Sequence, residues 1–352
     1  MTSRVVSKHL FNYQLHGVMD DYVLKLQSPM GLQTDEKLKE LQAMVESDDP
    51  CVDPSVVATL SRFYMNDLSI YKAPHYQQAI DLCTHNEFKV PLRDGNDFEV
   101  PVFIHTPRTL SGNESNPAII HAHGGGCISG NALQSQGMLS YYAIETGVVY
   151  FSVDYRLAPE TKCPKNALDF YCAVKHIIEN AECLGIDASR IAIAGDSGGG
   201  YICFATMVMF AEKDESHLIK LSIPSIPMID DYSFTDPALM TNEERKSAPV
   251  MKKTWHCIAN HLETDRNNPL LFPAKASDDI IRRMPATIIW EFEFDIFITE
   301  ATRMAHRMRR EGRLLEFRVQ PGMTHMSAYI SGTEGYRLNM EDYKLAIKEY
   351  LL

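Results

Sequence analysis

Polar and apolar positions alternate at helical spacing over residues 1–85. Thr34 is placed to cap a helix whose first turn carries Asp35 and Glu36, favourable at the positive end of the helix dipole. Leu38, Leu41, Met44 and Val45 then share one face. Asp53 followed by Pro54 predicts a second helix start, with Val57, Leu60, Phe63 and Tyr64 as its apolar stripe. Such stripes read as core packing. Near residue 86 the period changes. Strands are predicted over 87–92 and 98–104, joined by the hairpin signal Asp94-Gly95-Asn96. Apolar runs over 117–122 and 148–153 read as buried strands, and 166–178 as a helix. A small-residue strand over 190–194 runs into Gly195, followed by a helix over 199–212 and a strand over 221–229. A strand over 286–292, a helix over 299–310, a strand over 315–319 and a helix over 340–351 close the chain. This alternation predicts the α/β class: a mostly parallel sheet covered on both faces, with an antiparallel edge. Residues 232–284 are mixed, charged and rich in Pro, Asp and Asn, and read as an insertion between two strands.

Composition narrows the function classes. Among 352 residues, 34 are Lys or Arg and 46 Asp or Glu, a net charge of −12. A field of that sign argues against nucleic acid or an anionic membrane as partner. The 45% apolar and 23% charged content is that of a globular protein with a large core. No apolar run reaches the ~18 residues of a membrane-spanning helix, so no stable membrane insertion is expected. The first residues carry no long apolar stretch or small-residue cleavage site, so secretion is not expected either. Eight cysteines are scattered without a Cys-x-x-Cys pair, which predicts free thiols in a reducing, cytoplasmic setting. Cys172 and Cys203 sit in apolar runs and read as core residues.

The chemistry concentrates after the strands. Gly195-Asp196-Ser197-Gly198-Gly199 matches G-x-S-x-G between a strand and a helix. A sharp strand-to-helix turn exposes the serine hydroxyl, and the following helix dipole favours negative charge beside it. A phosphate loop would need a G-K-[ST] ending that is missing. His123-Gly124-Gly125-Gly126 follows the strand ending at Ala122. Acyl transfer needs backbone N–H donors aimed at a developing oxyanion, and Gly125, Gly126 and Gly198 are the candidates. His121 and His123 could suggest a metal pair. No partner of metal-site spacing accompanies them, so His123 reads as a loop-shaping residue and no metal or cofactor is expected. A serine nucleophile needs a base and an orienting acid, in the order Ser, acid, His. Asp295 follows the 286–292 strand, and His325 follows the last strand within Gly322-Met323-Thr324-His325-Met326. Both fall at the carboxyl ends of strands, the edge that carries the serine. Glu293 is the rival acid and would still lie inside its strand.

These motifs, with Asp154-Tyr155-Arg156-Leu157-Ala158-Pro159-Glu160 and Glu293-Phe294-Asp295, resemble the hormone-sensitive lipase-like esterases of the α/β-hydrolase superfamily. The resemblance spans residues 121–326. It implies an eight-stranded core at 86–352, an N-terminal helical cap at 1–85 and a second cap piece at 232–284. It implies Ser197, Asp295 and His325 as catalytic triad and Gly125, Gly126 and Gly198 as oxyanion donors. The 154–160 stretch looks like the family's structural motif behind the site. Two departures stand out. The family usually has Ala after the serine, where Gly198 keeps the N–H and is expected to loosen the turn. It usually continues Pro-Leu-Arg-Asp-Glu after the acid, where this chain reads Ile296-Phe297-Ile298-Thr299-Glu300.

The expected activity is a serine carboxylesterase on short- to medium-chain acyl esters, through an acyl-enzyme. A small-molecule acyl ester is the expected partner, and a homodimer is left open. The same machinery would serve a deacetylase or amidase of small amides. A non-catalytic binding protein on the same scaffold is disfavoured, because all three triad residues remain.

Overall fold

In a computed structural model of the chain, the apolar runs join one sheet of eight strands. The structure describes residues 43–45, 47, 52–67, 73–92, 98–110, 115–231, 238, 240–262, 264–327 and 333–352. The strands are β1 (Cys83–Pro91), β2 (Glu99–Pro107), β3 (Asn116–Ala122), β4 (Val149–Val153), β5 (Ile186–Asp196), β6 (Leu221–Ser225), β7 (Thr287–Phe294) and β8 (Leu314–Thr324). Their spatial order is β1-β2-β4-β3-β5-β6-β7-β8. The β1–β2 and β2–β4 pairs are antiparallel and the rest parallel. The helices are α1 (Pro54–Asp67), α2 (Pro74–Asp81), α3 (Gln136–Thr146), α4 (Lys165–Glu179), α5 (Gly198–Glu212), α6 (Asn242–Ile258), α7 (Asp278–Arg283), α8 (Ile298–Arg310) and α9 (Glu334–Tyr350). None of the described helices is long and apolar enough to cross a membrane.

Strand alternation divides the core in two. Ala118, Ile120 and Ala122 of β3 and Phe151 of β4 face one apolar cluster, whereas Ile119 and Tyr150 face the other. Helix α5 is buried along its whole length from Gly198 to Ala211, as befits a helix apolar on every side. Its N-terminus therefore sits where the sheet is best held.

Several elements differ from the sequence reading. Strand β1 starts at Cys83, before residue 86. Strand β6 stops at Ser225 rather than 229, because Pro224 and Pro227 lack N–H donors and Ile226 has φ of 41°. Helix α3 was not anticipated. It buries Gly137, Met138, Leu139, Ser140, Ala143 and Thr146 around most of its circumference, so no clear stripe marks it. Helix α9 begins at Glu334, capped by the Thr333 hydroxyl accepting from the Tyr336 N–H. Within 232–284, α6 starts with a reciprocal capping box between Thr241 and Glu244 and packs against α1, while α7 packs on α5 and α8. Val45 is buried and Met44 exposed. The Thr34–Leu41 helix start and the Asp94–Asn96 hairpin signal lie outside the described residues, as do the side chains of Phe63 and Tyr64.

Candidate active site

The serine turn is built by close approach. Ser197 has φ of 57° and ψ of −114°, a conformation costing a non-glycine residue about 1–3 kcal/mol. A Cβ on Gly199 would lie 2.0 Å from the Ala122 carbonyl oxygen, and one on Gly195 would lie 2.5 Å from that of Gly199. Strand β3 and the start of α5 thus cross where no side chain fits. The Ser197 N–H donates to the Ser225 carbonyl at 2.9 Å, fixing the turn from β6.

Register brings the other candidates to the same edge. Asp196 pairs with Ser225, so β5 and β6 end together, and Phe294 pairs with Thr324, so β7 and β8 end together. Ser225 lies opposite Trp290, so the latter pair runs on past the serine turn, and all four strands point their carboxyl ends the same way. The Ser197 hydroxyl lies 2.9 Å from Nε2 of His325, whose Nδ1 lies 2.7 Å from Oδ2 of Asp295. Asp295 is fully buried, and its Oδ1 accepts from the Phe297 N–H at 2.7 Å. The Phe297 ring meets the His325 ring edge-on, with centroids 5.1 Å apart. Glu293, the rival acid, is engaged elsewhere: Oε2 accepts from the Gly322 N–H at 2.8 Å, at the root of the histidine loop.

The glycine loop lies against the serine. Gly125 and Gly126 have φ of 106° and 60°, which only glycine adopts freely. Among the described residues the N–H groups of Gly125, Gly126 and Gly198 donate to no other protein group. Gly198 does not loosen the turn. A Cβ there would lie 2.7 Å from the amide nitrogens of both Gly126 and Cys127, so glycine lets the loop close onto the helix start. His123 stacks on Tyr155, with centroids 4.3 Å apart, and its Nδ1 donates to the Gly124 carbonyl at 2.8 Å. Burial pushes the His123 pKa down to about 4, so it is a neutral wedge. His121 instead contacts Asp196 at 3.0 Å.

The 154–160 stretch braces this loop from behind. The Tyr155 hydroxyl donates to the His123 carbonyl at 2.7 Å, Asp154 accepts from the Ala132 N–H at 2.9 Å, and the Ala158 N–H donates to the Cys127 carbonyl at 2.8 Å. Arg156 is fixed in turn by a bidentate pair with buried Asp169.

A cavity of about 400 Å³ opens over Ser197 and His325. Its floor includes Gly125, Gly126 and Ile128. Val45, Val57, Leu60, Ser61 and Met65 line it from the N-terminal segment, and Val250, Met251 and Thr254 from α6. Among the described residues that line it there is no Asp, Glu, Lys or Arg.

Some contributors gave little sequence signal. Thr299 follows the acid by four positions, and its N–H and hydroxyl donate to the Glu244 carboxylate of α6 at 2.9 and 2.8 Å. The insertion helix thereby holds the acid loop. Glu291 and Glu300 are buried carboxyls beneath it, and burial pushes both well above the usual carboxylate range, with Asp295 adding to the effect at Glu291. A Glu at an inward position of a strand that reads as fully buried was the available clue.

Sheet order, strained serine turn and glycine loop together define a hydrolase-type architecture. Residues 119–328 match the family model described as alpha/beta hydrolase fold. An arylesterase of Saccharolobus solfataricus is 30% identical over 241 residues, 66% of this chain and 74% of that protein. The hormone-sensitive lipase of Mus musculus is 32% identical over 129 residues, 34% of this chain and 17% of that protein. A hyperthermophilic esterase from the archaeon Pyrobaculum calidifontis superposes with a TM-score of 0.74 at 22% identity, covering 94% of this chain and 98% of its own. That likeness is one of fold. The chain belongs to the α/β-hydrolase-fold family, in its hormone-sensitive lipase-like group.

Proposed function

We propose that the protein is a serine carboxylesterase acting on short- to medium-chain acyl esters. Ser197 attacks the ester carbonyl while His325 Nε2 takes its proton, and His325 returns a proton to the leaving alcohol. Asp295 holds the imidazole by Nδ1 and balances its charge once protonated. The N–H groups of Gly125, Gly126 and Gly198 receive the oxyanion of each tetrahedral intermediate. Water then releases the acid. The residues before β1, which starts at Cys83, and residues 232–284 act as two pieces of one cap over the core, and their apolar side chains take the acyl chain and exclude water. The described cysteines are all free thiols, which fits a cytoplasmic location.

The observation that carries this reading is the unbroken chain from Ser197 to His325 to Asp295, at 2.9 and 2.7 Å, under an apolar cavity. A fluorophosphonate probe should label Ser197, and Ser197→Ala should abolish both labelling and hydrolysis of aryl esters from acetyl to octanoyl. Labelling at another residue, or none on folded protein, overturns it. Paired ester and anilide substrates of one acyl group separate esterase from amidase.

A further inference from the structure

Helix α1 touches the glycine loop at two consecutive residues. The Ser61 hydroxyl lies 2.8 Å from the Ser129 hydroxyl, which donates to the Gly125 carbonyl at 2.9 Å. That carbonyl also accepts from the N–H groups of Ile128 at 3.1 Å and Ser129 at 3.0 Å. Three donors on one oxygen fix the peptide unit joining Gly125 to Gly126. In a trans peptide the C=O and the following N–H point in opposite directions. Drawing the Gly125 oxygen into the loop therefore turns the Gly126 N–H to the other side, where Gly126 lines the cavity. Both glycines have positive φ, so little in the local backbone opposes a flip of this peptide, and its orientation must come from what holds the oxygen.

Arg62 locks the same contact. Its Nε donates to the Ile128 carbonyl at 2.9 Å and Nη2 to the Ala158 carbonyl at 3.1 Å, while Nη1 and Nη2 meet Glu160 at 2.8 and 2.6 Å. Ser61 is thus held at a fixed height over Ser129.

We propose that Ser61 is a positioning residue for the oxyanion site, fixing the Gly125–Gly126 peptide through Ser129 so that the Gly126 N–H faces the reacting oxygen. The cap then sets turnover as well as substrate fit. The inference rests on the esterase reading above. Removing an oxyanion donor outright costs about 10²–10³ in kcat. Ser61 acts one hydrogen bond further out and leaves the Ser129 donors in place, so a smaller loss is expected.

Ser61→Ala should lower kcat on an acetyl aryl ester about 3- to 10-fold with KM within about 2-fold, the split expected for an interaction made in the transition state. Affinity for an aryl trifluoromethyl ketone, whose hemiketal oxygen takes the oxyanion position, should fall by the same factor as kcat/KM. Ser61→Thr, which keeps the hydroxyl, should restore both. Adding Ser61→Ala to Ser129→Ala should cost nothing more in kcat, because both changes cut one chain. An unchanged kcat, a raised KM alone, or a loss that Ser61→Thr fails to restore in folded protein overturns the proposal. If the parent protein itself hydrolyses no ester and resists the fluorophosphonate, the esterase reading falls and takes this one with it. If the parent does both, only the Ser61 proposal is at stake.

Discussion

The floor and the roof of the cavity are built by different physics. The floor carries costs that a core normally avoids. Ser197 and Cys127 hold φ of 57° and 58°, Gly125, Gly195, Gly198 and Gly199 sit where a Cβ would strike backbone, and Glu291 and Glu300 lie fully buried below. Such strain and desolvation persist only where the surroundings over-determine them. The apolar lining of the roof carries none of this. Val57, Leu60, Val250 and Met251 contribute area and shape, and the directional contacts of the roof are confined to its ties to the rest, such as those of Ser61 and Arg62 to the glycine loop. A floor residue is therefore defined by its geometry and an apolar roof residue by its volume. Substitutions should separate the two sharply.

The largest effect belongs to the acid. Asp295→Asn keeps the contact to the Phe297 N–H but favours the wrong histidine tautomer, and kcat should fall roughly 10⁴-fold. Glu293→Gln can still accept from the Gly322 N–H and should cost about tenfold or less. Steady-state kinetics on one aryl ester checks both. A reversed ranking would move the acid to Glu293 and dissolve the floor as drawn.

That ranking also marks how much was legible in the sequence. That Ser197, Asp295 and His325 come together was legible because a strand-to-helix turn and two strand ends leave local marks: glycines, apolar runs and chain order. The sheet was legible for the same reason, since buried strands are short continuous apolar runs. Gly198 was visible, but its purpose was not. Glycine after the serine reads as a looser turn, whereas here it admits the amides of Gly126 and Cys127 at 2.7 Å from where a Cβ would be. That contact joins Gly198 to a residue 71 positions earlier and no periodicity encodes it. Helix α3 and the Glu244–Thr299 link were missed on like grounds. One is buried around most of its surface, and the other depends on α6 folding back over the sheet edge.

A smaller effect should expose what the floor costs in stability. Burial raises the Glu291 pKa in the folded state above its unfolded value of about 4.3. Between those two values the native carboxyl stays protonated and the unfolded one ionises, so the unfolded state binds fewer protons. Its contribution is then complete below the unfolded pKa and shrinks as pH rises, by about 1.4 kcal/mol per pH unit at most. Glu291→Gln keeps an acceptor for the Phe292 N–H and removes this dependence. The stability gap between variant and parent, from urea midpoints at pH 5, 6, 7 and 8, should move in favour of the variant as pH rises above the unfolded value, and level off once the native carboxyl ionises. A gap independent of pH would mean that Glu291 ionises freely where it sits, and that the floor bears less electrostatic cost than its burial implies.

The smallest effect belongs to the roof. Met251 lines the cavity from α6 with a flexible, unbranched side chain and no hydrogen-bonding duty. Met251→Ala removes a few atoms of apolar contact, each buried methylene being worth about 0.8 kcal/mol. An acetyl group is too short to reach far from Ser197, so its kcat/KM should stay within about 2-fold of the parent. An octanoyl chain reaches further, and losing one wall should change its kcat/KM by about 3- to 10-fold, with kcat moving less than KM. The sign distinguishes two roofs. A fall means Met251 packs on the acyl chain, and a rise means it blocks the chain's path. An octanoyl-to-acetyl ratio equal to the parent's would show that the acyl chain runs elsewhere, and the division between a geometric floor and a volumetric roof would then need its second wall drawn from α1 alone.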